Sequence, residues 1–459
     1  MPSDAAIAAL KSSLRGELIT PSDASYDAAR KVNNGMIDKR PCLIARCSDV
    51  ADVITAVNWG RDNKVQISVR GGGHNAAGLG LCDDALCIDL SPIKYVRVNP
   101  KKRTVVVGGG TLLGDVDHAT HAFGLAVPAG IISTTGVGGL TLGGGIGHLT
   151  RYAGLTIDNL LAVDMVLADG SFVTASDKEN ADLFWAVRGG GGNFGIVTAF
   201  KFRAVPASTD YAGPTLWPME DATEVLKWYR NFIGKAPTTL NGFFAFLTVP
   251  PGPPFPEHLH NKKMCGVVWC YTGKLKDAEK VFKPIRAFKK PALDMAGPIP
   301  HPMLQSMFDA LLPPGLLWYW KADFVKELTD EAVALNVQHG SQLPTMLSTM
   351  HLYPIDGAAS KVKNSATPWC YRDAKWAQVI AGIDPSPANR DKISKWAKDY
   401  WTALHPFSAG GAYINFMMEE GDDRIRATYG KNYDRLAKIK KRYDPKNLFR
   451  VNQNIKPAK

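Results

Sequence analysis

Polar and apolar side chains alternate from Lys64 to Val69, the two-residue period of a strand with one face buried. The same signal predicts strands over 242–249, 265–272 and 346–353, with a further one around Trp318, Tyr319 and Trp320. Over 220–232, 275–288 and 386–404 the apolar spacing lengthens to that of an amphipathic helix. Earlier helices are expected to start at Asp23 or Ser25, and at Ser48, a good N-cap with acidic residues in the turn that follows. Pro250, Pro251, Pro253 and Pro254 mark a rigid loop. The middle of the chain thus predicts an antiparallel sheet with helices on one face. Beyond it, Gly411–Met417 alternates as a strand would, placing Tyr413 and Asn415 on one face.

Four glycine clusters punctuate the first half: Gly71–Gly73, Gly108–Gly110, the run from Gly136 to Gly147, and Gly189–Gly192. Consecutive glycines let the backbone approach an anion closely and aim several N–H groups at it. Four such loops point to one long, extended anionic ligand held mainly by main chain, and a dinucleotide with its pyrophosphate fits. The spacing does not fit the nicotinamide-binding βαβ fingerprint, which needs its glycines after the first strand and an acidic residue about 20 positions on. No phosphate loop of the Gly-x-x-x-x-Gly-Lys-Ser/Thr kind is present. His74 sits inside the first cluster, in reach of whatever that loop holds.

These strings, together with Ile88–Ser91, Arg151–Leu155, Asp158-Asn159, Asp182–Gly189, Asn193–Gly195, Tyr429–Leu436, Tyr443–Arg450 and Asn452–Ile455, resemble the FAD-linked oxidases of the vanillyl-alcohol oxidase fold, in their berberine-bridge-enzyme-like branch. The resemblance spans nearly the whole chain and is vague from 206 to 405. It implies an α+β, two-domain fold: an FAD-binding domain over 1–205, an antiparallel-sheet substrate domain over 206–409, and a return over 410–459 that completes the FAD domain. It also implies the cofactor contacts. Arg70, Gly71, Gly72, Gly73, Asn75 and Gly78 belong to the loop that cradles the pyrophosphate, and His74 bonds covalently to the flavin. Gly136, Gly138, Gly139, Gly143, Gly144 and Gly145 add main-chain contacts, with His148 nearby. Gly192, Asn193, Gly195 and Ile196 take the adenine–ribose side, and Asn452 and Asn454 approach the flavin ring.

Two departures narrow the expectation. Many members carry a second covalent link from a cysteine, and here that position is Ile132, so one link through His74 is expected. Singly linked relatives include small-amine oxidases of the 6-hydroxynicotine type. Thr135 stands where oxidases of the family usually have Val beside the flavin. Its size favours an oxidase that releases hydrogen peroxide, with a dehydrogenase using another acceptor as the alternative.

The chain has 459 residues and a net charge of +11, a basic excess that can signal nucleic acid. The lysines of 431–446 are spaced as a solvated helix face, so no nucleic-acid partner is expected. The seven cysteines form no metal-binding set, and no apolar run reaches membrane-spanning length. A cytoplasmic monomer or homodimer, with a small-molecule substrate, oxygen and no metal, is the expectation. A base for the substrate's proton is sought among Tyr152, Tyr413 and Asn415. Residues matching Phe416 and Met417 serve as bases in some relatives and cannot here, which leaves the base open. His351 and Tyr353 share a strand face and are weaker candidates. A fold-retaining protein that binds flavin or nucleic acid without catalysis is the remaining alternative.

Overall fold

A computed structural model describes residues 2–459. Two small sheets form the first part. One runs Glu17–Ile19, Leu43–Arg46, Leu86–Asp89, Ile67–Arg70, with its last three strands parallel. The strand expected over 64–69 begins only at Ile67, because Lys64 takes a left-handed turn at φ 57° after the preceding helix. That helix, Val50–Asp62, is capped by Asp49 and not by Ser48. The Asp49 carboxylate accepts from Ala51 N and Asp52 N, while Ser48 gives its own N–H to Asp52. The other sheet is antiparallel, in the order Val96–Asn99, Thr104–Gly108, Ile196–Arg203, Leu160–Val166, Phe172–Ser176.

A large antiparallel sheet follows, built on Thr209–Pro218, Lys263–Tyr271, Leu240–Thr248, Thr349–Pro354, Trp376–Asp384 and Leu317–Val325. Its two faces separate by residue parity. Phe244, Phe246, Val267 and Trp269 point to one side, where the amphipathic helices Ala222–Phe232, Ala278–Phe288, Asp330–Gly340 and Arg390–Leu404 cover them. Phe243, Ala245, Val268 and Val379 point to the other side, toward the glycine loops.

Helices Asp422–Tyr429 and Tyr433–Tyr443 then pack back on the first core, against Val105, Phe184 and Phe200. A wholly buried ammonium holds this return. Lys440 Nζ donates to Asp444 (2.7 Å), Asn193 O (2.6 Å) and Phe449 O (2.8 Å). Burial lowers the Lys440 pKa and Asp444 works against that drop. The strand expected over 411–417 is absent: Ile414–Phe416 is a turn of 3-10 helix. Gly411 bonds once to the edge strand, through Phe324 N, and Phe416 N then closes on Tyr413 O.

A buried polar junction joins the two halves. His301 Nδ1 lies 2.7 Å from Asp210, with His148 and Asp117 alongside. The Asp117 Oδ2 atom has no partner, and burial pushes its pKa up to about 7 from 3.8, with His301 easing the rise. A carboxyl with a raised folded pKa contributes its full stability below the ordinary value and loses it as pH rises through the folded one. Asp117→Asn is therefore expected to melt like the native protein at about pH 4 and several degrees higher at about pH 8. An equal shift at both pH values, read by calorimetry, contradicts this.

Candidate active site

Between the glycine loops and the inner face of the large sheet lies a cavity of about 1080 Å³. One wall is backbone. A Cβ on Gly72 would stand 2.5 Å from Gly136 N, and one on Gly136 would stand 2.4 Å from Gly72 N, so the two loops meet only because both residues lack a side chain. The N–H groups of Gly71, Gly72, Gly73, His74 and Asn75 have no protein acceptor among the described residues. All five residues line the cavity, and a row of consecutive unspent amides in such a loop can cradle an anion. Arg70 fixes where the row begins: its Nη2 donates to Asp89 at 2.7 Å across the parallel register.

His74 lines the cavity beside this row, with Nε2 3.1 Å from Thr134 Oγ1. Burial lowers its pKa to about 4, against the pull of Asp309, so the imidazole is neutral at pH 7. Gly139 and Gly192 line the same wall with open space where a Cβ would stand, and Asn452 Oδ1 is buried without a partner. A flat, elongated, anionic cofactor such as FAD fits this wall: amides for its phosphates, side-chain-free surface for its rings, and a free carbonyl.

The expected cofactor residues divide. Arg70–Asn75, Thr135, Gly136, Gly138, Gly139, Gly192, Gly195, Ile196 and Asn452 line the cavity. Gly78, Asn193, Asn454, His148 and Gly143–Gly145 do not. Asn193 instead ties loops together, donating to Gly190 O and Gln453 O while accepting from Ile455 N. His148 belongs to the buried junction. At Gly143 a Cβ would lie 2.2 Å from Asn415, so this glycine makes room for a site residue from behind.

The opposite wall holds the chemistry-bearing side chains. Tyr413 Oη accepts from Gly145 N (3.0 Å) and from Asn415 Nδ2 (2.6 Å), and burial pushes its pKa up to about 12. Tyr413 and Asn415 thus share the cavity face, as expected, although on a turn and not on a strand. Tyr152, also expected in the site, is not among the residues that line the cavity. It lies on helix Thr150–Ala153, packed beside Leu149 and Leu304. Its neighbour Arg151 is the residue with a task, binding Asp356 at 2.7 Å to join the two halves. His351, Tyr353, Trp318 and Trp320 all line the cavity, and His351 Nδ1 lies 2.8 Å from Tyr353 Oη. The alternation of Met350–Tyr353 was the only sequence signal for that pair.

Because the Gly72–Gly136 contact leaves no slack, Gly136→Ala is expected to lose most bound FAD and to melt lower, by a few kcal/mol of stability. Native FAD content in the purified variant contradicts the cradle.

A model of an FAD binding domain matches residues 41–176, and one for berberine and berberine-like proteins matches 412–456. An uncharacterized FAD-linked oxidoreductase of Bacillus subtilis (strain 168) is 32% identical over 459 residues, 98% of each chain. (R)-6-hydroxynicotine oxidase of Paenarthrobacter nicotinovorans is 28% identical over 470 residues, 97% of each chain. The crystal structure of 6-hydroxy-D-nicotine oxidase from Arthrobacter nicotinovorans superposes with a TM-score of 0.87 at 26% identity, covering 97% of this chain and 99% of that one. With a cradle for FAD, an antiparallel roof over it and these relatives along its full length, the chain belongs to the berberine-bridge-enzyme-like FAD-linked oxidoreductases of the vanillyl-alcohol oxidase fold.

Proposed function

We propose that the protein is an FAD-dependent oxidase that takes a hydride from an alcohol or amine carbon of a small molecule and uses oxygen as its second substrate. The observation that carries this reading is the five-amide row with an imidazole inside it, opening on the same cavity as Tyr413 and Asn415. When bound, FAD supplies the hydride acceptor and passes the electron pair to oxygen, giving hydrogen peroxide.

The residues divide the work. The amides of Gly71–Asn75 hold the pyrophosphate, and Arg70, paired with Asp89, holds the start of that loop in place. His74, neutral and facing the cavity, is the single attachment point. Ile132 lines the cavity where a second link would need a thiol, and none of the seven free cysteines lines it. Thr135 lines the cavity as the small residue that leaves room for oxygen. Tyr413 already accepts two N–H bonds, so its own O–H is left to donate to the substrate's heteroatom. Asn415 holds that ring in place.

Anaerobic addition of a substrate is expected to bleach the flavin absorbance, and air to restore it with one peroxide per turnover. Recovery only with an added dye, and not with air, identifies a dehydrogenase instead. Tyr413→Phe is expected to keep its FAD and to bleach about 10- to 100-fold more slowly, the loss of one hydrogen bond to the reacting group. An unchanged rate contradicts the assignment.

A further inference from the structure

Hydride loss from an alcohol needs an acceptor for the hydroxyl proton. Five titratable side chains line the cavity: Arg70, His74, His351, Tyr353 and Tyr413. No Asp, Glu, Lys or Cys does, among the described residues. Arg70 is a permanent cation. Burial raises the pKa of both tyrosines, to about 12 for Tyr413, so both are protonated at neutral pH, and the Tyr413 oxygen has its lone pairs engaged already. His74 sits in the amide cradle. His351 is what remains.

Its geometry suits the task. His351 lies on the inner face of strand Thr349–Pro354, facing the cavity, with its ring 4.9 Å from that of Phe243. Nδ1 is engaged by Tyr353 Oη at 2.8 Å. With the proton on Nδ1 and donated to Tyr353, Nε2 keeps a free lone pair. Burial lowers the imidazole pKa to about 4, so that lone pair stays available throughout the neutral range.

We infer that His351 accepts the substrate's hydroxyl proton and that the substrate is an uncharged alcohol with an apolar body. This rests on the oxidase reading above. The carbinol carbon is oxidised to a carbonyl: its C–H electron pair leaves as hydride, with FAD the acceptor, and the O–H proton passes to His351 Nε2. As the hydride departs, the hydroxyl becomes that of a protonated carbonyl, a strong acid, so a weak base suffices. Tyr353 Oη then holds the Nδ1–H of the imidazolium. An aliphatic amine arrives as an ammonium ion, and no carboxylate in the cavity offsets the loss of its hydration. The walls that receive the rest of the molecule are apolar: Leu216, Phe243, Ala245, Val268 and Phe308.

The test uses the FAD-loaded enzyme without oxygen, with benzyl, cinnamyl and hexyl alcohols and their matched amines. At least one alcohol is expected to bleach the flavin, and its amine to do so at least tenfold more slowly at about pH 7. The alcohol rate is expected to be level from about pH 5 to about pH 9, since His351 titrates below that window. His351→Gln is expected to bleach about 100-fold or more slowly, with unchanged FAD content and reoxidation by air, and imidazole to restore part of the rate in His351→Ala. His351→Glu is expected to bring the amine rate up. A native rate that climbs with pH throughout assigns the proton to a tyrosine and overturns the inference. So does a His351→Gln enzyme as fast as the native one, or amines preferred over alcohols by the native enzyme. If no compound bleaches the native flavin, the oxidase reading falls, and this inference with it.

Discussion

The site depends on one backbone contact. Gly72 and Gly136 approach each other so closely that neither position has room for a methyl group. That contact joins the loop after strand Ile67–Arg70 to the loop before helix Val137–Gly143, and the five residues of the first loop that line the cavity keep N–H groups with no protein acceptor among the described residues. Everything around it keeps the two loops in register. The Arg70–Asp89 pair anchors one side, with both residues in adjacent parallel strands. The ammonium of Lys440 anchors another, binding the carbonyls of Asn193 and Phe449 so that the last residues of the chain meet the cavity wall. A buried charge of this kind is costly unless every donor is used, and Lys440 uses all three.

The roof is fastened by the same logic. Arg151 and Arg372, both nearly inaccessible, reach across from one half to the other. Arg151 binds Asp356, and Arg372 binds both oxygens of Asp158 at 2.7 and 2.8 Å. The arginines and carboxylates at the seam are paired with one another, and among the described residues Arg70, itself paired with Asp89, is the one charged side chain lining the cavity at neutral pH. A low-charge, apolar cavity strengthens the few polar contacts it does contain.

The glycine clusters were legible because glycine at a close approach is a requirement and not a preference. They gave the cofactor class and the first half of the wall. Alternation and helical periodicity marked four of the six long strands of the large sheet and three of its four covering helices to within a few residues, while Thr209–Pro218, Trp376–Asp384 and helix Asp330–Gly340 were not foreseen. Three kinds of error have physical causes. Asp49 displaced Ser48 as the cap because a carboxylate can accept from two N–H groups at once. The stretch from Gly411 to Met417 carries a strand pattern, yet Tyr413 is pulled onto Gly145 N, and that long-range bond goes with a turn in place of a ladder. Tyr152 and His148 sit in glycine-rich, site-like sequence, but Tyr152 falls on a short helix and His148 in the turn before it, beside His301 and Asp210, and only the fold decides which residues line the cavity. His351 shows the converse. Its strand pattern was legible, while its place beside Tyr353 in a cavity lined by no carboxylate among the described residues depends on residues far apart in the chain.

In the proposed function, the glycine loop presents His74 as the single attachment point of FAD. The most direct measurement is mass mapping of acid-precipitated, protease-digested protein. Yellow colour is expected in the pellet, with one FAD-modified peptide, the one that contains His74, and none in His74→Ala. Colour released entirely to the supernatant, or a flavin mass on any other peptide, contradicts it.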